Sequence, residues 1–321
     1  MDNKPYIKRY RIWGITTIAL VFFLIFVGGL VRSTGSGMGC PDWPKCFGQW
    51  VPPTTLGELP VDYKTRFAVA GKEIADFDVF KTWVEYINRL IGVLIGFAVF
   101  LTLVFSIPYL KYKPIIFGLS LLSFLLVGFQ GWIGSIVVST DLAGYMVTIH
   151  MLIALLIVAL LIYTVALSQQ FEIIANGSTS KLKVLAAILL FAGIIQIITG
   201  TQVREEVDEV AKRIDIRNEW INHLGAIFKW HRSLSWINLL AAIAFLIEAK
   251  KLVQRNTLFY KGALALLVIL CTQAFSGAAL ANLGFASQLQ SVHLTLGSIT
   301  AGLQIFLTIL VFDRIKIQQL N

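Results

Sequence analysis

Four histidines are the residues of this chain best suited to bind a metal, and three of them lie within long apolar segments. A single membrane histidine is explained more simply by an interhelical hydrogen bond. His231 and His293, however, lie near the same end of two segments in the second half. Two neutral imidazoles facing each other across a helical bundle suit the axial positions of a heme iron. Zinc would need further ligands, which this depth of the second half lacks. We therefore expect His231 and His293 to ligate a heme iron.

The first half carries a modified copy of this arrangement. The segment from Gln130 to His150 recurs 143 residues later, and the same offset aligns Asn88 with His231. Asparagine is a poor ligand for heme iron, so a heme in the first half would be held by His150 beside a weak or open position at Asn88. The alternative is that this half has lost its heme and that Asn88 is a helix contact.

A carboxylate accompanies Asn88. Glu85, Asn88 and Arg89 lie at i, i+3 and i+4, on one helix face. A carboxylate in a membrane segment costs roughly 3 kcal/mol unless it is paired or wet, so it indicates function more often than packing. The repeat counterpart of Glu85 is Phe228. The second half is therefore typical of electron transfer, and the first of substrate oxidation beside an acid. An ion pair with Arg89 is the structural alternative for Glu85.

Arginines and cysteines lie toward the outer ends of the segments. Guanidinium groups bind carboxylates by paired hydrogen bonds, so four matched arginines are candidates for heme propionates, with snorkelling to lipid phosphate as the alternative; they are Arg32, Arg89, Arg204 and Arg232. Cys40 and Cys46 flank a proline-containing turn. In an oxidising compartment this spacing suits a disulfide or a thiol pair that cycles.

The composition indicates which elements position these residues. Hydrophobic residues make up 57% of the 321 and charged residues 14%, against about 25% charged in soluble domains. This excludes a soluble enzyme and a disordered chain, and the net charge of +9 suits loops beside anionic lipid better than nucleic acid. Runs of about 20 apolar residues span a membrane as helices. The sequence predicts eight, at 12–32, 83–107, 114–138, 144–167, 182–203, 229–248, 258–279 and 287–312.

Basic residues predict the orientation of these spans. The short loops on one side contain Lys and Arg, whereas loops 139–143 and 280–286 contain neither. The positive-inside rule places both termini in the cytoplasm and the long loops 33–82 and 204–228 outside.

The repeat predicts how the spans are grouped. Each copy contains four spans, so the two share one membrane orientation and form parallel repeats about an axis along the membrane normal. The first helices of the copies match more loosely, at an offset of 172. We predict an all-α integral membrane protein with an N-terminal four-helix half, 1–170, and a C-terminal four-helix half, 171–321, each holding one of the two expected heme sites.

These motifs together resemble heme A synthase over nearly the whole chain. The strings that carry the resemblance are Gly29-Leu-Val-Arg-Ser-Thr-Gly-Ser-Gly37, Cys40-Pro-Asp-Trp-Pro-Lys-Cys46, Trp83-Val-Glu-Tyr-Ile-Asn-Arg-Leu-Ile-Gly92 and the two Gln-to-His segments. Such enzymes oxidise a methyl group of heme O to the formyl group of heme A, which serves terminal oxidases. The resemblance implies a substrate heme site in the first half, a heme b cofactor in the second, a catalytic Glu85, and a redox-active pair, Cys40 and Cys46.

The sequence departs from the family pattern at Asn88, where the family usually has histidine. We expect an active enzyme whose substrate iron is held by His150, alone or with a water near Asn88. The expected partners are heme O, the heme O synthase that supplies it and an electron donor or acceptor in the membrane, with no nucleic acid, and the sequence is compatible with a homo-oligomer. The expected location is the inner (cytoplasmic) membrane, as a multi-pass protein whose outer loops face an oxidising compartment.

Two other functions fit the same architecture. A non-catalytic b-type cytochrome that passes electrons from a quinol would use the same histidine pair, and a transporter could be built on a four-helix repeat. Transporters typically have broken helices and polar residues at the midplane, whereas the ionisable residues here gather near the outer ends of the segments.

Overall fold

The computed structural model describes residues 5–169 and 172–317, and most of these residues are helical. Eight of the described helices are long and apolar enough to cross a membrane, so the predicted number of spans is confirmed and the chain is a multi-pass membrane protein. The helices are α1 Pro5–Ser33, α2 Tyr63–Arg66, α3 Val79–Ser106, α4 Pro114–Ser139, α5 Gly144–Ser168, α6 Ser180–Ala211, α7 Ala226–Leu252, α8 Leu258–Asn282 and α9 Ser287–Asp313. Short 3₁₀ helices cover Leu56–Glu58, Ile107–Lys111 and Arg217–His223.

The chain divides into two compact units. The N-terminal unit is Ile12–Leu161, and the C-terminal unit is Met1–Arg11 together with Ile162–Asn321.

The C-terminal unit contains a bundle of four helices. Helix α6 packs against α7 and α9, and α8 packs against the same two helices. The bundle core is filled by fully buried side chains that include Phe245, Phe259 and Leu266, with alanines such as Ala242 and Ala263 between them. Small residues let membrane helices approach closely. Two short parallel strands, β1 Ile173–Ala175 and β2 Ile315–Ile317, pair beside this core.

The end of α6 differs from the sequence prediction. The predicted span ended at 203 and was followed by an outer loop from 204 to 228, whereas α6 continues to Ala211. Val207 and Val210 are buried in a cluster with Trp220, which explains the extra turns. One face of this polar extension is covered by residues that follow it in the chain, so a hydropathy window ends the helix too early.

The N-terminal unit combines α1, α3, α4 and most of α5 with the long outer loop. Thr17 of α1 and Thr102 of α3 are hydrogen-bonded at 2.9 Å, and α3 packs against α4. Asp78 begins α3 as its N-cap, accepting a hydrogen bond from the backbone N–H of Lys81. The Asp side chain satisfies an amide that the first turn would leave unpaired.

The outer loop of this unit has a small core of its own. Cys40 and Cys46 form a disulfide, buried with Phe47, Leu59 and Tyr63. The predicted disulfide is therefore confirmed. Further along the loop, the hydrogen bond from the Lys64 ammonium, 2.6 Å from Asp76, holds the pKa of that carboxyl below its ordinary value.

Candidate functional site

The histidine pair of the C-terminal unit is brought together by α7 and α9. The ring centroids of His231 and His293 lie 6.4 Å apart, with the rings nearly perpendicular. An imidazole–metal bond is about 2.0 Å long, so a metal ion between two rings would separate their centres by about 6 Å. The two rings therefore stand at a separation that fits axial ligation of one metal ion.

Each of these histidines lies against a glutamine and a glycine on the preceding helix. Gln196 of α6 donates to the backbone carbonyl of His231 at 2.9 Å, and the amide of Gln273 on α8 lies 3.4 Å from Nε2 of His293. Four residues after each glutamine is a glycine, and a Cβ there would come within 3.1 Å of the His231 ring and 3.0 Å of the His293 ring. Both rings therefore pack closely against the glycine, and a larger residue there would press on the ring.

His150 of the N-terminal unit sits in the same kind of contact. Gln130 of α4 donates to its backbone carbonyl at 2.7 Å, and a Cβ at Gly134 would lie 3.6 Å from the ring. Asn88 of α3 lies beside α1, where a Cβ at Gly28 would be 3.9 Å from its amide oxygen. Asn88 thus holds the position that a fourth histidine would have.

The sequence contained a signal for this recurring contact that hydropathy and histidine spacing did not reveal. The string Gln-x-x-x-Gly occurs at 130–134, 196–200 and 273–277, each time on the helix before a histidine. At the offset of 172, the fourth copy reads Leu24-x-x-x-Gly28 on the helix before Asn88. In this copy leucine therefore stands in place of the glutamine and asparagine in place of the histidine, while the glycine is kept.

Buried polar atoms at these contacts have no hydrogen-bond partner among the described residues. They are Asn88 Oδ1, Gln130 Oε1, His150 Nδ1, Gln196 Oε1 and Gln273 Oε1. An unpaired buried polar atom costs roughly 1–3 kcal/mol, and five at matched positions are unusual in a packed interior. Orphaned polar atoms beside glycine-lined imidazoles are consistent with sites that bind a polar or metal-containing group. In the part of the chain that the structure describes, no three His, Cys, Asp or Glu side chains cluster as a protein-only metal site would require.

Glu85 lies beneath the disulfide loop and is only 4% exposed. Its Oε1 is 2.5 Å from Arg89 Nη2, and its Oε2 accepts a hydrogen bond from the backbone N–H of Cys40 at 2.7 Å. Arg89 also donates to the carbonyls of Cys40 and Asp42, both at 2.7 Å. The structural alternative for Glu85, an ion pair with Arg89, is thus formed. The pair also ties α3 to the loop that carries the disulfide.

The four candidate propionate ligands have different surroundings. Arg89 is directed at Glu85 and the loop carbonyls, so its guanidinium is largely committed within the protein. Arg204 pairs with Asp208 at 2.6 Å and donates to Gln290. Arg232 stacks over the Phe228 ring at 5.9 Å, and Arg32 lies in the last turn of α1. A propionate role stays a prediction for all four.

Gly39 is where the disulfide loop meets α3, and it offers a test of this attachment. A Cβ at this position would lie 2.7 Å from the backbone nitrogen of Thr82 and still closer to the backbone carbonyl of Lys81. We expect Gly39→Ala to separate the loop from α3, lowering the melting temperature by several degrees and exposing the loop to trypsin. Gly57→Ala is the matched control, because no heavy atom lies within 4 Å of its Cβ position. Equal melting temperatures and digestion rates in the two variants would contradict this attachment.

Comparison with known proteins identifies the family of the chain. The chain is 27% identical over 183 residues to the heme A synthase of Bacillus cereus strain G9842, covering 56% of this chain and 50% of that protein. The heme A synthase of Bacillus anthracis strain CDC 684 gives the same identity and coverage. The match thus spans about half the length of these relatives. The sequence model of the cytochrome oxidase assembly protein family matches residues 11–305, which is most of the chain. The chain therefore belongs to the cytochrome oxidase assembly protein family.

Proposed function

We propose that this protein is a heme A synthase, a membrane oxidoreductase that converts a methyl group of heme O to the formyl group of heme A. The observation that carries the proposal is the asymmetry between two otherwise similar sites. One unit has a facing histidine pair and Phe228 at the repeat position of Glu85, whereas the other has one histidine, an asparagine and a buried carboxylate. A pure electron carrier has no need of the second arrangement. Family membership supports the same assignment.

The C-terminal unit is the proposed cofactor site. His231 and His293 would be the axial ligands of heme b, which supplies one-electron redox chemistry when bound. Gly200 and Gly277 leave room for the two rings, and Gln196 holds the α7 backbone at His231.

The N-terminal unit is the proposed reaction site. His150 would hold the iron of heme O, and Asn88 would leave the opposite side open or occupied by water. Oxidation of a methyl carbon releases protons, and a carboxylate within reach accelerates such a step by accepting them. Glu85 is the buried carboxylate of this unit. Its hydrogen bond from the Cys40 amide joins it to the outer loop. The Cys40–Cys46 disulfide of this loop is proposed to be redox-active.

The repeat supports a membrane arrangement for these sites. We propose two parallel four-helix repeats with both termini in the cytoplasm, an N-terminal half of 1–170 and a C-terminal half of 171–321. The recurring Gln-x-x-x-Gly contact lies at corresponding helix positions in each half, as parallel repeats require. Arg32, Arg89, Arg204 and Arg232 are the proposed propionate contacts, and Arg89 also binds Glu85 and the loop carbonyls. The proposed location is the inner membrane, and the proposed partners are heme O, heme O synthase and a membrane electron donor or acceptor.

The heme content of the purified protein tests this assignment. We expect pyridine hemochrome spectra to show heme b together with heme A or a hydroxylated heme O. Heme b alone would instead identify a b-type cytochrome, the second candidate, which the histidine pair alone would satisfy. Protein without any heme, purified from cells that make heme O, would contradict both.

Asn88→His tests the open position of the N-terminal unit. A second imidazole facing His150 would complete six-coordinate, low-spin binding of heme O. We therefore expect a second low-spin component in the absorption and EPR spectra of protein loaded with heme O, and slower turnover because product leaves more slowly. The matched control is Asn256→His in the C-terminal unit, an exposed residue between α7 and α8 that is 25 residues from His231 in sequence. A spectrum of Asn88→His identical to that of the wild type would contradict the placement of Asn88 at the iron.

A further inference from the structure

Each histidine of the C-terminal pair is contacted by a hydroxyl on the preceding helix. Thr199 Oγ1 lies 3.1 Å from Nδ1 of His231, and Ser276 Oγ lies 2.8 Å from Nδ1 of His293. Both hydroxyls come three residues after the glutamine and one before the glycine of the recurring contact. The motif in this unit is therefore Gln-x-x-Ser/Thr-Gly.

The direction of these hydrogen bonds follows from the rest of each hydroxyl's contacts. Thr199 Oγ1 donates to the carbonyl of Ile195 at 2.9 Å, and Ser276 Oγ donates to the carbonyl of Gln273 at 2.8 Å. A hydroxyl has one hydrogen to donate and accepts through its lone pairs. With that hydrogen directed at the helix backbone, each hydroxyl oxygen has a lone pair that can accept from the imidazole Nδ1–H; the amide nitrogen of Gln196 also lies 3.2 Å from Nδ1 of His231.

This direction of hydrogen bonding corresponds to one tautomer of the imidazole ring. An imidazole that donates from Nδ1 carries no proton on Nε2, so its Nε2 lone pair is available to a metal. Partners of this kind orient metal-binding histidines and raise their basicity, and their removal typically costs about 10–100-fold in metal affinity. Thr199 and Ser276 thus prepare the two imidazoles as ligands before iron arrives.

The N-terminal unit has no counterpart of either hydroxyl. The residue at the position of Ser276 is Ile133, and the residue at the position of Thr199 is Val27. In agreement with this, His150 Nδ1 is buried without a hydrogen-bond partner among the described residues. The ring of His150 is therefore packed but not tethered by a hydroxyl.

We infer that Thr199 and Ser276 are positioning residues that make the C-terminal heme site permanent, and that Ile133 keeps the His150 site exchangeable. The inference rests on the proposed function and deepens it, since a cofactor has to stay bound whereas a substrate and its product have to leave after every turnover. The same helix-pair contact would serve both purposes, with one hydroxyl deciding between them.

The first test measures how fast heme b is lost from the purified full-length protein. With excess apomyoglobin as the acceptor, we expect Thr199→Val and Ser276→Ala to lose heme b about 10–100-fold faster than the wild type. We also expect the reduced variants to bind carbon monoxide, because a loosened axial histidine opens the iron. Thr199→Ser keeps the hydroxyl and should retain the wild-type rate. Thr272→Val is the matched control, since the hydroxyl of this exposed α8 residue bonds only along its own helix.

The second test introduces the hydroxyl into the N-terminal unit. Ile133→Thr should slow the release of heme O, distinguished from heme b by chromatography, by about 10-fold or more, and should lower turnover accordingly. Wild-type protein that binds no heme b would overturn the proposed function and the inference with it. Low-spin heme b in the wild type, lost at an unchanged rate from both Thr199→Val and Ser276→Ala, would overturn the inference alone.

Discussion

Glu85→Gln is expected to reduce heme A production at least 100-fold while leaving heme b bound, because a positioned proton acceptor contributes about 10²–10⁴ to rate. The carboxylate uses both oxygens, one toward Arg89 at 2.5 Å and one toward the Cys40 amide at 2.7 Å. Glutamine has a single carbonyl oxygen, so it cannot accept both hydrogen bonds, and its amide cannot take up a proton. The C-terminal unit contains neither partner and should keep its low-spin spectrum.

The control for this prediction separates proton transfer from loop attachment. Thr82 also joins α3 to the loop, since its hydroxyl donates to the Gly39 carbonyl at 2.9 Å. Thr82→Val removes that hydrogen bond and leaves the carboxylate intact, so we expect activity within a few-fold of the wild type. Extracted hemes are measured by chromatography in membranes that express equal amounts of each variant. Heme A made at the wild-type rate by Glu85→Gln would reduce Glu85 to the ion-pair partner of Arg89.

Replacing either axial histidine is expected to have the second large effect. His231→Ala and His293→Ala should each abolish the low-spin b-type spectrum, because one imidazole alone leaves the iron five-coordinate. Heme A production should fall with it, since the proposed electron-transfer site is lost. With ring centroids 6.4 Å apart, a metal ion between the two rings would be bonded by both, so the loss of either ring should be enough.

His223→Ala is the matched control for the axial pair. His223 is an exposed residue of the 3₁₀ helix Arg217–His223, where its ring contacts the carbonyl of Glu219. Its replacement should change neither the spectrum nor the activity. An unchanged low-spin spectrum in both His231→Ala and His293→Ala would show that the heme is bound elsewhere.

The membrane spans could be predicted from the sequence because hydropathy is a local property. The eight apolar runs needed no knowledge of packing, and their number is confirmed. The end of α6 could not be predicted in this way. Its last turns are polar and are stabilised by Val207 and Val210 against Trp220, a contact with residues beyond the end of the helix.

The candidate sites also contain parts that could be predicted from the sequence and parts that could not. The pairing of His231 with His293 could be predicted because both lie near the same end of two long apolar segments in the second half. The hydrogen bond between Glu85 and the Cys40 amide joins residues 45 apart, and the contact of Thr199 with His231 requires that α6 and α7 be adjacent. No local pattern specifies either contact. The Gln-x-x-x-Gly string at 196–200 was visible in the sequence, but its meaning depended on seeing which ring lies against the glycine.

The most direct measurement is the heme composition of membranes from bacteria that make heme O but lack any heme A synthase. On expression of this chain, we predict that chromatography of the extracted hemes shows heme A at the expense of heme O, and that the Glu85→Gln variant leaves heme O unconverted. Heme O that stays unchanged while the purified chain carries low-spin heme b would contradict the proposed activity and identify the protein as an electron carrier.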